Sequence, residues 1–295
     1  MATILLVVLG ALTIYFLSYF IKDIYRNRNN LGKGNYVISM IIGFITDFLD
    51  TLGIGCFAPT TLAFKLTKYL KSDALLPGTL NIAHSIPVIL EAFIFIRVVE
   101  VSPVTLISLV IAAIIGSFVG SRTVVKLPEK KVQMIMGIAL IITAVLMILK
   151  QQGLLDALGK DNTALGLTGI RLVIGIVGNF IFGALMSAGV GLYAPCMAMV
   201  ALLGLNPLVA FPIMMGSCAG LMPVASVEYI KVGEYSRKAA IGITLGGIVG
   251  VVIAATLVKS MNLEILMWVI IVVIIYTGIS MLIQSLKGKE EVMEV

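Results

Sequence analysis

Gly53-Ile54-Gly55-Cys56-Phe57-Ala58-Pro59 returns 136 residues later as Gly189-Val190-Gly191-Leu192-Tyr193-Ala194-Pro195, and each copy cuts a strongly apolar stretch. Glycine ends a helix by adopting backbone conformations that other residues resist. Proline belongs in the first turn of a new helix, where its missing N–H costs nothing. Each copy therefore reads as helix stop, turn and helix start. Paired interruptions at matching places in a hydrophobic chain point to a transporter built from internal repeats.

Around these motifs the composition fixes the solvent. Of 295 residues, 60% are hydrophobic and 12% charged, with a mean hydropathy of +1.11. That is too little polar material to cover a water-soluble domain. Barrel-type alternation is absent, and helices satisfy their own backbone in lipid, so the chain reads as an all-α polytopic membrane protein. Runs long enough to cross about 30 Å of hydrocarbon lie at 2–21, 74–96, 103–121, 131–149, 207–230, 239–258 and 263–285. The stretches 36–71 and 169–204 are too long for one span, and they hold the two motifs. The first run lacks a basic leader and exceeds a signal-peptide core, which makes it a retained helix.

The match between the halves continues beyond the motifs. Pro77 and Pro87 answer approximately to Pro212 and Pro223, and Gly116 and Thr143 to Gly250 and Thr277. The expected organisation is an N-terminal helix and cytoplasmic linker (1–34), a first repeat (35–150), an extracytoplasmic linker (151–168), a second repeat (169–286) and a cytoplasmic tail (287–295). Each repeat is expected to hold a broken, re-entrant-like helix pair and three transmembrane helices. That odd number of crossings inverts the second copy. Gly116 and Gly120, four apart in one span, read as a helix-packing stripe.

Lys and Arg accumulate in cytoplasmic loops. With the N-terminus outside and each cut region returning to its starting side, 16 of the 21 basic residues fall on the inside; Arg97, Lys150, Lys160 and Lys259 fall outside, and Arg171 lies within a run. The expected setting is a cell membrane, multi-pass, with a cytoplasmic C-terminus. Topology absorbs the net charge of +6, and no nucleic-acid partner is implied.

A helix start offers free N–H groups and the positive end of a dipole, which favour an anion. The candidate substrate-binding set is Gly53, Gly55, Cys56, Pro59, Thr60, Ser187, Gly189, Gly191, Pro195 and Cys196. The glycines let backbone approach the ligand, and the hydroxyls add donors. Asp47 and Asp50 share a helix face at mid-depth, where an ionisable group is a functional hypothesis. They are read as proton-coupling residues or as a structural pair. His84, with Asn81 and Ser85, is either a third member of a proton relay or a satisfied interior residue. Glu91 and Glu228 fall near opposite membrane faces as gates or surface carboxylates, and Arg171 is an anion guide, a partner for Glu91 or an anchor. Cys56, Cys196 and Cys218 read as free thiols. No metal or cofactor motif is present.

The glycine breaks followed by proline-started helices, together with Glu228-Tyr229-Ile230-Lys231-Val232-Gly233-Glu234-Tyr235 after a proline-containing helix, resemble the TauE/SafE sulfite-exporter family of membrane permeases over about 36–286. The resemblance implies export of a small sulfur-containing anion such as sulfite, thiosulfate or an organosulfonate. It maps Gly53, Gly55, Pro59, Gly189, Gly191 and Pro195 onto the family's two signature breaks. The first break departs from the commoner run of three glycines, having Gly53-Ile54-Gly55-Cys56. The expected function is alternating access coupled to protons or membrane potential. A passive anion channel and a short-carboxylate carrier are the alternatives. An intramembrane aspartyl enzyme is disfavoured, because it gives no reason for a duplicated helix start. Oligomeric state is left open.

Overall fold

Asn35 opens the first long core helix, its side chain accepting from the Val37 and Ile38 amides as an N-cap. The computed structural model describes residues 2–95, 99–154, 162–257 and 264–287. The helices are α1 (Ala2–Arg26), α2 (Tyr36–Thr51), α3 (Phe57–Thr67), α4 (Leu76–Phe95), α5 (Pro103–Val124), α6 (Glu129–Gln151), α7 (Gly169–Ser187), α8 (Tyr193–Leu202), α9 (Ala210–Val232), α10 (Arg237–Leu257) and α11 (Glu264–Lys287). Six of the described helices are long and apolar enough to cross a membrane. The protein is an all-α polytopic membrane protein. Each stretch too long for one span resolves into two helices, α2 with α3 and α7 with α8, divided at the glycine motif. Residues 155–161 of the expected linker, the tail from 288, and Arg97, Lys160 and Lys259 lie outside the described residues.

Helices α4 and α9 form the centre, packed on each other and flanked by α10 and α5 respectively. The main pairs around them are α2 with α10, α5 with α7, and α6 with α11, while α1 leans on α9. Exchanging α2–α6 for α7–α11 leaves this set of pairs unchanged, apart from α1.

Small residues bring the paired backbones together. A Cβ on Gly250 would stand 2.3 Å from the Phe44 carbonyl oxygen, and one on Gly246 1.9 Å from that of Met40. In the α5–α7 pair a Cβ on Gly116 would stand 2.0 Å from the Phe180 carbonyl oxygen, and one on Gly120 2.5 Å from that of Ala184. These glycines serve backbone contact, the packing role their spacing suggests.

Both central helices carry an internal proline, Pro87 in α4 and Pro223 in α9. Proline removes the bond to the carbonyl four residues back. The Ala83 carbonyl, freed by Pro87, accepts instead from Thr244 Oγ1 of α10 at 2.8 Å, and two residues before Pro223 the Leu221 carbonyl accepts from Ser117 Oγ of α5 at 3.0 Å. Side chains of the flanking helices thus hold the proline-bearing centre.

Substituting Gly250 by Val is expected to push α2 from α10 and cost about 1–3 kcal/mol through overpacking. Gly10→Val, where a Cβ meets nothing within 4 Å, should change little. Thermal unfolding of both variants in detergent checks this, and equal midpoints would contradict it.

Candidate functional site

The two glycines of each motif do different work. At the end of α2 the Gly53 N–H donates to the Asp50 carbonyl at 2.8 Å and the Ile54 N–H to the Leu49 carbonyl at 3.2 Å. At the end of α7 the Gly189 N–H donates to the Met186 carbonyl at 2.9 Å and the Val190 N–H to the Leu185 carbonyl at 3.2 Å. This double closure is the Schellman ending, which needs a left-handed residue. Gly53 and Gly189 supply it with φ of +81° and +93°. Around the second glycines the space is open: a Cβ on Gly55 or Gly191 would meet nothing within 4 Å.

The helices after the breaks begin without a side-chain cap, at N-cap residues Cys56 and Leu192. The first amides bonded back to those residues are Thr60 to the Cys56 carbonyl and Cys196 to the Leu192 carbonyl, each at 3.0 Å. Pro59 and Pro195 occupy the third helical position and have no N–H to satisfy. Free donors therefore remain on Phe57 and Ala58 in α3 and on Tyr193 and Ala194 in α8. All four residues line one cavity of about 30 Å³, joined by Asp50, Gly55, Cys56 and Gly191. A smaller cavity of about 20 Å³ beside it is lined by Gly53, Lys150, Tyr193 and Ala194 among others.

A buried acidic cluster adjoins the main cavity. Asp47 Oδ1 lies 2.7 Å from His84 Nδ1, and His84 Nε2 lies 3.0 Å from Thr60 Oγ1. Asp50 has the Cys56 thiol and the Glu91 carboxyl as neighbours. Thr51 Oγ1 contacts Glu91 Oε1 at 2.8 Å, and the Tyr193 hydroxyl donates to Glu91 Oε2 at 3.3 Å. Asp47, Asp50, His84 and Glu91 are all buried. Asp47 Oδ2 and Asp50 Oδ2 have no hydrogen-bond partner among the described residues. Asp47, Cys56 and His84 also place one potential ligand atom each within 4.8 Å of one another, a carboxylate–thiol–imidazole set that could hold a metal ion.

Of the residues proposed from sequence, Gly55, Cys56, Gly191 and Asp50 line the main cavity. Thr60, Asp47 and His84 form the hydrogen-bonded chain behind it. Others face elsewhere. Ser187 Oγ donates to the Ala184 carbonyl at 2.6 Å, while its own carbonyl accepts from the Tyr229 hydroxyl at 2.6 Å. Cys196 and Pro59 are buried, Pro195 is half-buried, and none of the three lines a cavity described here. Glu228 pairs with Lys231 at 2.9 Å and Arg122 at 3.5 Å. Arg171 lines a surface pocket with Asn162 and Gly204, apart from Glu91.

Glu91, expected as a gate or a surface carboxylate, is fully buried, which excludes the surface carboxylate. Counting residues along α4 gives depth and says nothing of which neighbours the helix meets. Its spacing from His84 held the clue: seven residues, close to two turns, puts both on one helix face.

Comparison of the chain with protein-family models, with curated proteins and with solved structures finds no match.

Gly189→Ala should be destabilising by roughly 1–2 kcal/mol because φ of +93° strains any side-chain-bearing residue. Gly191→Ala has open space and no positive φ, and should unfold with the wild-type midpoint. Equal losses in both, measured by thermal unfolding, would refute the division of labour between the glycines.

Proposed function

We propose that the protein is a secondary transporter of a small anion, held between the starts of α3 and α8 and moved by alternating access. The observation that carries this reading is that two uncapped helix starts open on one buried cavity. Unpaired amides in a lipid-embedded interior are costly, and an anion is the ligand they suit. A cavity of about 30 Å³ has room for two or three waters. That scale favours a compact oxyanion such as sulfite over a longer organosulfonate.

The inverted-repeat organisation is part of the same proposal. It is supported by the duplicated Schellman endings, the duplicated proline-bearing starts and the exchange of helix pairs between halves. Membership of the TauE/SafE family, export as the direction and a cytoplasmic C-terminus are proposed on the sequence resemblance and the distribution of basic residues.

Three carboxyls and one imidazole lie at or behind the cavity, and no lysine or arginine is among the described residues that line it. An anion is stable beside them when they carry protons. Transport of the anion together with protons follows as the preferred coupling. A second reading, in which a borderline cation such as Zn²⁺ occupies the cluster, is favoured by the donor set of Asp47, Cys56 and His84. Cobalt added to the purified protein should then give a thiolate charge-transfer band that Cys56→Ser removes; absence of the band rejects that reading.

Purified protein in liposomes should show saturable counterflow of radiolabelled sulfite, abolished by Gly191→Leu without loss of membrane insertion. Unitary conductance in a planar bilayer would make it a channel, and undiminished flux in Gly191→Leu would refute a site lined by this backbone.

A further inference from the structure

Helices α3 and α8 end in the same way and differ in one residue. After α3 the Lys68 N–H donates to the Lys65 carbonyl at 3.3 Å and the Tyr69 N–H to the Phe64 carbonyl at 3.1 Å. After α8, at the same 136-residue offset, the Gly204 N–H donates to the Ala201 carbonyl and the Leu205 N–H to the Val200 carbonyl, each at 3.1 Å. Both are Schellman endings, which need a left-handed residue. The second copy uses Gly204, with φ of +85°. The first uses Lys68, with φ of +49°, the sole non-glycine residue of positive φ among the described residues. A side chain strains that conformation where glycine would not. Strain of this kind collects at functional sites.

Lys68 opens on a surface pocket of about 350 Å³, lined also by Lys65, Lys71, Asp73, Gln133 and Gln284. The Asp73 carboxylate is taken up there: Lys65 pairs with it, and Gln133 Nε2 donates to it at 2.9 Å. Lys65 also donates to Gln284 Oε1 at 3.1 Å. Lys68 and Lys71 are exposed and have no ion pair among the described residues. Three lysines against one aspartate leave the pocket a surplus of two positive charges. The corresponding pocket at the end of α8, about 450 Å³, has Arg171 as the cation among its described lining residues. A Cβ on Gly204 would stand 3.1 Å from Arg171 Nη1. Glycine there leaves room for a cation from another helix, whereas after α3 the residue in the strained position is itself the cation.

We propose that the pocket at the end of α3 binds a small oxyanion between Lys68 and Lys71, and that it is the vestibule from which the anion passes along α3 to the central cavity. Phe64 and Lys65 of α3 line the pocket, and Phe57 and Ala58 of the same helix line the cavity. From Ala58 to Lys65 is seven residues, about 10 Å of helix. The pocket has more than ten times the volume of the central cavity, about 350 Å³ against about 30 Å³. It takes an anion with its water shell, and the inner site takes it stripped. Lysine ammonium groups are compact, strongly hydrated charges that fit the first task. Clustered charge of one sign raises the local anion concentration and the rate of capture. The entry role rests on the transport reading above; the oxyanion site does not.

Lysine acetylation of detergent-purified protein, read by mass spectrometry, tests the site without transport. At equal ionic strength, sulfate in place of chloride should slow modification of Lys68 and Lys71 several-fold and leave Lys33, outside the pocket, unchanged. Equal rates in the two salts would overturn the site. A lipid phosphate offers related chemistry, so protection by phosphatidylglycerol nanodiscs and not by sulfate would give the pocket to a headgroup and overturn the proposal. Lys68→Gly separates capture from folding, because glycine relieves the strain. The variant should unfold at a higher temperature than the wild type; a lower midpoint would make Lys68 a structural residue and overturn its assignment. In liposomes, Lys68→Gly/Lys71→Gln should raise the KM for sulfite presented on the Lys68 face several-fold with kcat kept, and weaken the dependence of KM on salt. A wild-type KM would overturn the entry role. If the wild type itself moves no sulfite, the transport reading falls and the acetylation result still decides the site.

Discussion

A helix cannot be broken inside a membrane without leaving amides and carbonyls that lipid will not solvate. In the proposed transporter that constraint bears on residues 53–59 and 189–195, where α2 gives way to α3 and α7 to α8. Schellman closures at Gly53 and Gly189 satisfy the carbonyls of the helices that end there. Prolines at the third position of α3 and α8 remove one donor from each helix that starts there. The residues whose amides are left over, Phe57, Ala58, Tyr193 and Ala194, all line one cavity. The rest of the fold serves this arrangement. Glycine-lined contacts hold α2 on α10 and α7 on α5, and Thr244 and Ser117 steady the proline-bearing helices α4 and α9.

The two halves share a backbone scheme and differ in chemistry. At the 136-residue offset, Asp47 stands where the second half has Gly183, Asp50 where it has Met186, His84 where it has Gly220, and Glu91 where it has Val227. The acid cluster therefore belongs to one half alone. A Cβ on Gly247 would stand 2.1 Å from Asp47 Oδ2, so the facing helix makes room for this carboxyl. In the proposed mechanism both halves bind the anion through backbone, and the first half adds the protons. Tyr193 is where the second half reaches the acids, through its contact with Glu91.

Helices, breaks and membrane setting were legible in the sequence because each has a local cause: apolar length, glycine after a helix, proline at its start. The separate tasks of Gly53 and Gly55 were not, since both are glycine and only the hydrogen-bond pattern tells a helix ending from a cavity wall. Asp47, Asp50 and His84 stood out as polar residues within apolar runs, and the structure does bring them to one cluster. Thr60 meets His84 there, and its hydroxyl contacts the imidazole instead of lining the cavity. The burial of Glu91 was not legible, because it lies near the end of its run and meets Thr51 and Tyr193 only through tertiary contact. Ser187 looked like a cavity donor by position, yet its hydroxyl returns to its own helix.

The central claim is that both helix starts hold the same anion. Protein labelled with ¹⁵N at phenylalanine, tyrosine and alanine would report it through the amide resonances of Phe57, Ala58, Tyr193 and Ala194 during titration with sulfite. The account predicts that the resonances of both helix starts shift together along one saturation curve. Shifts confined to one start, or absent from both while sulfite is bound, would contradict it.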